Sequence, residues 1–468
     1  MAEPVSLSDV LHIVLSKHPA LALARIQEQS LKIEQQNIQG LLDPRVSLTG
    51  GLSDQTTPTT NPFAPSGSSS RTLAGNITKL LPDGSTVSAS FAYSRSKVSY
   101  PASVPVVFQA TINPTYEHQI DLIYRYPLLR GHGNPNFNEQ ISNNEYNEVA
   151  AHWNTAIQRE LLAAQAISLY YQIASNIIAK RLAQDAVMRA KKLLIYQKKR
   201  QEFGLIETSD QRQTEALLAA RNVEYSNANA TLRRSITTLN RLMLREAGRT
   251  IQAHIENSIG SFEISAMPTW LEKALQQRPV FHMLAAQQAA NDSILTIAHD
   301  QHDMQIDLIS QVGSRALSAS YGRALGQGFT LNDRFISIGF EFKDTLNKQS
   351  SKAAILQAEL SRERIRLQRQ QALEDIETEL STALTLYQNG TIMKKTTLLR
   401  QQAEQLKFNA EMARYQDGRS DTATLIQFEG DLRNAELQAA LQDIQIQLAE
   451  KKIALATGNL LHSLDMNP

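Results

Sequence analysis

Residues 137–202 form a run of 66 residues that contains neither Gly nor Pro. Because these two residues are the least favourable in a helix interior, the run predicts one unbroken helix, which at 1.5 Å per residue would reach about 99 Å. A counterpart at 352–416 is interrupted only by Gly390, which predicts a bend near mid-length. A compact domain has no room for rods of this length, so the chain must build something elongated.

An internal repeat organises the chain. A shift of 260 residues aligns, without a gap, a first set of identical residues: Leu11 with Leu271, Leu15 with Leu275, Pro19 with Pro279, Gln27 with Gln287, Asp43 with Asp303 and Leu48 with Leu308. A shift of 214 residues aligns a second set: Gly204 with Gly418, Thr208 with Thr422, Gln213 with Gln427, Glu215 with Glu429 and Leu218 with Leu432. The pattern predicts a tandem duplication over about 1–250 and 265–460. Because the two shifts differ by 46, the first copy carries about 46 extra residues.

Each copy predicts the same order of elements: a helix, β-strands, a long helix, a Gly-containing tip and a return helix. In the first copy the strands, long helix and return helix are expected at about 45–127, 137–202 and 207–246. In the second copy they are expected at about 304–343, 352–416 and 421–456. The helices carry two apolar stripes each, as in the last one, where Leu437, Leu441, Ile444 and Leu448 mark one face and Leu432, Ala435, Ala439 and Ile446 another. A coiled-coil helix needs one seam, whereas a stave in a tube of helices touches neighbours on both sides.

The predicted strands alternate apolar residues with polar or small ones. The apolar positions are Val87, Ala89, Phe91 and Tyr93; Ile120, Leu122, Tyr124 and Tyr126; Ile306 and Leu308; and Ile336, Ile338, Phe340 and Phe342. Alternation fits a membrane β-barrel with a watery lumen and aromatic girdles, and it fits a half-buried antiparallel sheet equally well. The long helices favour the barrel, because a soluble sheet domain needs no rods of this length.

A hairpin in the first copy has no equivalent in the second. The sequence Leu-Leu-Pro-Asp-Gly at 80–84 predicts a tight turn between strands within 72–95. Two added strands leave the direction of the chain unchanged, so the repeat survives the insertion. The pattern leaves open whether the hairpin joins the barrel, giving six strands per chain rather than four.

Composition excludes several classes of protein. Lys plus Arg number 47 against 46 Asp plus Glu, for a net charge of +1, so nothing indicates a nucleic-acid partner. No run approaches the roughly 18 to 20 apolar residues of a transmembrane helix, although the mean hydropathy of −0.31 does not weigh against a barrel. The absence of Cys excludes disulfides and thiolate sites. A signal peptide is expected to be either absent or removed and replaced by the starting Met.

Enzyme motifs are missing: the sequence has no P-loop, no Gly-x-Ser-x-Gly and no His-Glu-x-x-His. His299 and His302 could share a helix face with a carboxylate nearby. The segment ends a predicted helix just before a strand, where polar residues are expected, so no metal site is predicted. We expect a protein that is not an enzyme and needs no cofactor.

The duplicated order of elements resembles the TolC-like outer-membrane channel family over nearly the whole chain. The residues that carry the resemblance are two Leu-x-x-His/Arg-Pro openings at 15–19 and 275–279, Asp43-Pro44 before the first strand, Tyr-Pro-Leu-Leu-Arg-Gly at 126–131, and the tips at 203–210 and 414–421. The resemblance implies an α+β membrane protein, in which a transmembrane antiparallel β-barrel is continued by a long periplasmic α-helical barrel. It implies a homotrimer in the outer membrane of a Gram-negative bacterium, in contact with outer-membrane lipid and with its helices in the periplasm.

The same resemblance implies a passive exit duct for multidrug efflux or type I secretion, working with a periplasmic adaptor protein and an inner-membrane transporter. In the family the two tips receive the adaptor, and here they fall on Phe203, Gly204, Leu205, Asp417, Gly418 and Arg419. Without the family, the two glycines read as helix C-caps.

A periplasmic gate is implied beside the tips, formed by Tyr415, Arg419, Asp421, Asp210, Thr424 and Gln427. Family members often carry an acidic ring six and nine residues after the second tip glycine, where this chain has Thr424 and Gln427. A charged constriction would therefore need Asp210, Asp421 or Glu429. An Arg419–Asp421 pair at a solvated surface would contribute only about 0–1 kcal/mol.

Two other interpretations remain open. One is a soluble coiled-coil or helical scaffold protein with a small β domain, which would be a water-soluble monomer. The other is a periplasmic adaptor, but such a protein would contain its long helical hairpin once, and the duplication argues against it.

Overall fold

The structure is a computed structural model, and it describes residues 3–203, 207–253, 266–330 and 333–460. The first half of the chain contains β1 (Glu3–Val5), α1 (Leu7–Lys17), α2 (Pro19–Gln39), β2 (Arg45–Thr56), β3 (Gly67–Leu80), β4 (Thr86–Ser99), β5 (Thr115–Pro127), α3 (Pro135–Glu202) and α4 (Thr208–Leu242). The second half contains β6 (Ile251–Ala253), α5 (Met267–Gln277), α6 (Pro279–His302), β7 (Gln305–Ser318), α7 (Tyr321–Phe329), β8 (Arg334–Lys343), α8 (Gln349–Gln416) and α9 (Thr422–Ala456). Single turns of 3-10 helix occur at Gly40–Leu42 and Val106–Phe108.

Corresponding helices in the two halves have matching lengths. The pairs α1 and α5, α3 and α8, and α4 and α9 have 11, 68 and 35 residues respectively. In space, however, the chain divides into two compact units that each take segments from both halves. One unit comprises Met1–Glu28, Ala150–Leu284 and Leu367–Pro468, and the other comprises Gln29–Val149 and Ala285–Arg366. The spatial units are therefore a different division from the predicted sequence repeats.

The second unit contains a six-stranded antiparallel sheet in the order β2-β3-β4-β5-β7-β8. The hairpin of the first copy supplies β3 and β4, so it is part of this sheet. The register places apolar residues opposite one another across strands, as with Phe91 and Ile120, or Leu122 and Val312. Much of this apolar face is exposed, with Phe340 74% accessible. The alternation seen in single strands therefore becomes one shared apolar face, of which α7 covers the part around His118 and Ala316.

The opposite face of the sheet is polar. The Arg125 guanidinium forms an ion pair with Asp307 at 2.7 Å and another with Glu341. Two rows farther along β5, Asp121 accepts hydrogen bonds from Ser90 and Gln119, the latter at 2.8 Å. Charged groups thus neutralise one another on the face that does not carry the apolar residues.

The first unit is helical and has two similar apolar cores. In one, α1 packs on α3 and α4 through residues such as Leu11, Ile173 and Leu239. In the other, α5 packs on α8 and α9 through residues that include Leu380 and Ile453. Strands β1 and β6 form a short parallel pair in the same unit.

The two Pro residues of the repeated opening motif explain how these helices end. His18 and Arg278 have extended backbone conformations because a residue that precedes Pro is disfavoured in the helical region. Pro19 and Pro279 then begin α2 and α6, where a missing N–H has no intrahelical partner to lose.

Helix α8 continues through Gly390, whose carbonyl accepts a hydrogen bond from Gln442 at 3.2 Å. A Cβ at Gly390 would lie 2.9 Å from Ile446, so close helix approach explains this glycine. Two features differ from the sequence expectations. The segment at 321–329, which lies inside the expected strand region of about 304–343, forms helix α7. Among the described helices, α3 contains an 18-residue stretch that is long and apolar enough to cross a membrane; it is 44% buried, and a core helix passes the same test.

Candidate functional site at the helical tips

The tip between α8 and α9 is a tight helical reversal. Gly418 has a φ of +76°, which favours glycine. The N–H of Arg419 donates to the carbonyl of Arg414 at 2.8 Å, and the N–H of Gly418 donates to that of Tyr415 at 3.1 Å. This pair of bonds is a Schellman motif, which satisfies the last carbonyls of α8. The sequence Asp-Gly-Arg thus ends the long helix at a fixed point.

Asp421 begins the return helix as its N-cap. Its carboxylate accepts hydrogen bonds from the Thr424 N–H at 2.8 Å and from the Thr424 hydroxyl at 2.9 Å. These hydrogen bonds lower the pKa of the Asp421 carboxyl below its ordinary value. Arg419 is exposed, and no ion pair joins it to Asp421 in the part of the chain that the structure describes.

A buried polar cluster lies directly behind the tips. The Gln197 amide of α3 donates to the Tyr415 hydroxyl at 2.8 Å and to the Thr422 hydroxyl at 3.0 Å. The Thr214 hydroxyl of α4 donates to the Gln197 carbonyl oxygen at 2.6 Å. One fully buried amide therefore connects the ends of α3, α4, α8 and α9.

Arg200 fastens the second tip from the side of α3. Its guanidinium donates to the Tyr415 carbonyl at 3.2 Å and lies 5.7 Å from the centre of the Tyr415 ring. Tyr196, one turn before Arg200, contacts the same ring with a centroid distance of 6.1 Å. The Tyr415 ring is thus held between α3 and α9 and is 3% exposed.

A second buried cluster, here called the Glu429 network, lies farther from the tips. The Glu429 carboxylate on α9 accepts from Arg189 of α3 at 3.1 Å and from Arg221 of α4 at 2.5 Å. Arg221 also binds Glu224 at 3.0 Å. Arg433 of α9 forms an ion pair with Glu224 of α4, with 2.5 Å between the guanidinium nitrogen and the carboxylate oxygen. Glu429 and Arg221 are buried, and each has an opposite charge beside it, which offsets the cost of removing the charge from water.

The structure places the predicted tip residues as follows. Phe203 is 78% exposed, and Asp417, Gly418 and Arg419 are also exposed. Gly204 and Leu205 lie outside the described residues. The two described tip segments therefore present an aromatic ring and charged side chains to solvent, above a rigid base.

The predicted gate residues do not share one environment. Tyr415 is buried in the polar cluster, while Asp421 caps α9 with Thr424 as its partner. Asp210 is half-buried in the first turn of α4, and Gln427 is exposed. Glu429, the other acidic candidate, is enclosed and paired with two arginines.

Sequence reasoning did not identify Gln197, Arg189 or Arg221. The available signal was a polar or charged residue at a position where the apolar stripe of a helix is expected. Such a residue must find a partner on a facing helix, but the sequence does not say which one.

No metal site is found among the described residues as a group of three or more His, Asp or Glu side chains. The His302 ring lies against the Ser351 hydroxyl, with Nδ1 at 3.0 Å from Oγ.

Comparison by sequence finds no matching family model and no matching curated protein. Comparison by structure finds outer-membrane channels. The outer-membrane channel OprN matches with a TM-score of 0.72 and 14% identity, over 97% of this chain and 90% of that one. The Campylobacter jejuni CmeC outer membrane channel matches with a TM-score of 0.70 and 14% identity, over 97% and 86%. The outer membrane protein VceC from Vibrio cholerae matches with a TM-score of 0.68 and 15% identity, over 98% and 95%. The chain has the fold of TolC-like outer-membrane channels.

Proposed function

We propose that this chain is an outer-membrane exit duct, a passive homotrimeric channel for efflux or type I secretion. The observation that carries the proposal is a six-stranded sheet with an apolar face that is largely exposed, in a chain that also has two helices of 68 residues. An apolar sheet face of this kind is suited to lipid when three copies close a barrel. The long helices are suited to act as staves of a conduit through the periplasm. The similarity to outer-membrane channels supports the same function.

A soluble helical scaffold is the competing function, and the exposed apolar sheet face argues against it. Contiguous apolar patches of this kind are rare on soluble monomers. Extraction and gel analysis separate the two. An outer-membrane channel is expected to need detergent and to run as a heat-sensitive trimer, whereas a water-soluble monomer would refute the channel.

We further propose that the two tips receive a periplasmic adaptor. The exposed ring of Phe203 and the exposed Arg419 side chain sit above buried polar bonds that fix the helix ends. Rigid presentation lowers the entropy cost of binding. Capture of the adaptor from crosslinked cells is expected to fall at least tenfold for F203S and to remain for K395Q, an exposed change elsewhere on α8. Equal capture by both variants would contradict tip binding, and the transporter recovered with the adaptor would distinguish efflux from secretion.

The gate proposal concerns Arg419 and Asp421, two of the exposed charged residues of the second tip. Neutralising both in R419Q/D421N is expected to raise single-channel conductance in a planar bilayer, because charge at the constriction is removed while Asn keeps the helix cap. The matched control E377Q/K395Q removes one acid and one base from exposed positions on α8. Unchanged conductance in R419Q/D421N would rule out the gating role of these two residues.

A further inference from the structure

Two arginines face each other across the hairpin, near the start of β3 and the end of β4. The register pairs Arg71 of β3 directly with Arg95 of β4. Their side chains share a face with Leu73 and Tyr93, the next pair on the same side of the two strands. The pair therefore lies just beyond the end of the apolar surface.

The arginine pair lies far along the strands from the points where the helices join them. The helices join the strands at Arg45, Pro127, Gln305 and Lys343. The Arg71–Arg95 pair lies toward the opposite ends of the strands, where β3 begins at Gly67 and β4 ends at Ser99. On β3, Lys79 lies at the other end of the apolar stretch, so seven residues lie between the two charges and the stretch has nine residues with both charged residues included. Nine to eleven residues is about the length of a membrane-crossing strand.

The two guanidinium groups have no carboxylate partner among the residues that the structure describes. Arg95 donates to the Tyr116 hydroxyl at 3.3 Å and lies 5.9 Å from the centre of that ring. Arg71 is exposed. The nearest acid on this face is Asp54 of β2, which lies opposite Ser69 of β3. Ser69 in turn lies opposite Lys97 of β4, so a cation occupies the same row as Asp54. Glu117 points to the other face, where it binds Arg315.

Like charges directly opposite each other destabilise a sheet. An anion bound between the two guanidinium groups would remove this repulsion. A guanidinium offers a fork of donors that matches a phosphate. On β3, Leu73 and Ile77 beside the pair are exposed and would contact acyl chains, whereas Tyr93 on β4 packs against Tyr321 of α7, with ring centroids 5.6 Å apart. We infer that Arg71 and Arg95 bind the phosphate of a lipid headgroup at the membrane surface, an inference that rests on the proposed membrane function.

The test uses the detergent-purified protein reconstituted in two kinds of vesicle. One kind is phosphatidylcholine alone, and the other contains added phosphatidic acid with the same acyl chains. The readout is the temperature at which the trimer dissociates on gels. Phosphatidic acid is expected to raise this temperature by a few degrees for the natural protein, and R71Q/R95Q is expected to lose that rise.

The control K191Q/K395Q removes two exposed cations from α3 and α8 and is expected to keep the rise. The charge-preserving variant R71K/R95K is expected to keep part of it, and single variants R71Q and R95Q replace the double variant if it does not insert. An undiminished rise in R71Q/R95Q would overturn the lipid site. An equal rise with inorganic phosphate in phosphatidylcholine vesicles would also overturn it, in favour of a small-anion site. Failure of the natural protein to insert would refute the proposed function itself, and this inference with it.

Discussion

Glu160 is a buried carboxyl group on α3 with one cation beside it. Arg278 lies 3.4 Å away, and this guanidinium also donates to the Leu455 carbonyl at 2.9 Å. Burial raises the pKa of Glu160 to about 7, against the opposing effect of Arg278 and with a small contribution from the charge of Glu379. The group therefore changes charge near neutral pH, in a helical region close to the repeated Pro motif.

This pKa predicts that stability falls as pH rises. The folded state holds the proton more tightly than the unfolded state, so the contribution of the neutral carboxyl is complete below about pH 4.5 and is lost as pH passes through about 7. The loss amounts to about 3 kcal/mol per chain. Thermal unfolding in detergent at pH 5 and pH 8 should show the difference, and E160Q should reduce it. The exposed variant E377Q should behave like the natural protein, and a pH dependence unchanged in E160Q would contradict the assignment.

The tip residues show what a residue type can and cannot reveal by itself. Gly418 was singled out from sequence because a Gly between two helical runs suits a C-cap, and the structure gives it a positive φ. The gate role of Tyr415 stays a prediction; in the structure its ring lies against Arg200 and Tyr196, and its hydroxyl accepts a hydrogen bond from the Gln197 amide. Gln197 lies more than two hundred residues earlier in the chain, and no local pattern connects the two.

At the scale of elements, the Glu429 network joins α3, α4 and α9 through buried charges. In E429Q, Arg189 would keep only Glu436, at 3.2 Å, and Arg221 only Glu224. Removing one partner of a buried ion pair costs about 3–5 kcal/mol. We expect E429Q to lower the free energy of unfolding by about 3 kcal/mol and to speed hydrogen exchange of amides in α4 and α9.

The matched control is E436Q, which leaves Glu429 between its two arginines. Glu436 is less buried and has one contact in the network, so its loss should cost less than half as much. Equal losses in the two variants would show that the network does not depend on Glu429.

Elements that depend on local sequence were predictable, and those that depend on distant contacts were not. The run without Gly or Pro at 137–202 predicts a helix, and the structure has one at Pro135–Glu202, because helix propensity is a local property of the sequence. Alternation at 336–342 reflects a strand with one apolar face. Helix α7 was missed because three of its nine residues are glycines, which disfavour a helix. Ala324 and Gly328 are buried there, and a Cβ at Gly328 would lie 3.4 Å from that of His118, so packing on the sheet selects the helix.

At the scale of the whole molecule, the hairpin decides the size of the proposed barrel. Because β3 and β4 lie between β2 and β5 with continuous pairing on both sides, each chain contributes six strands to one sheet. The family resemblance implies four. Three chains would then form an 18-stranded barrel instead of one with twelve strands. Barrel diameter grows roughly linearly with strand number, so the pore should be about one and a half times as wide.

A deletion variant tests this directly by removing residues 58–113, which contain β3 and β4. The variant still joins β2 to β5 as antiparallel neighbours, because two removed strands leave the direction of the chain unchanged. Images of the purified trimer should show a wide barrel for the natural protein and a barrel about two thirds as wide for the variant. The helical part, which the deletion does not touch, provides the internal scale for this measurement. If both proteins have barrels of equal width, the hairpin lies outside the closed barrel in the trimer. In that case the exposed apolar residues of β3, such as Leu73 and Ile77, must be covered by something other than the membrane.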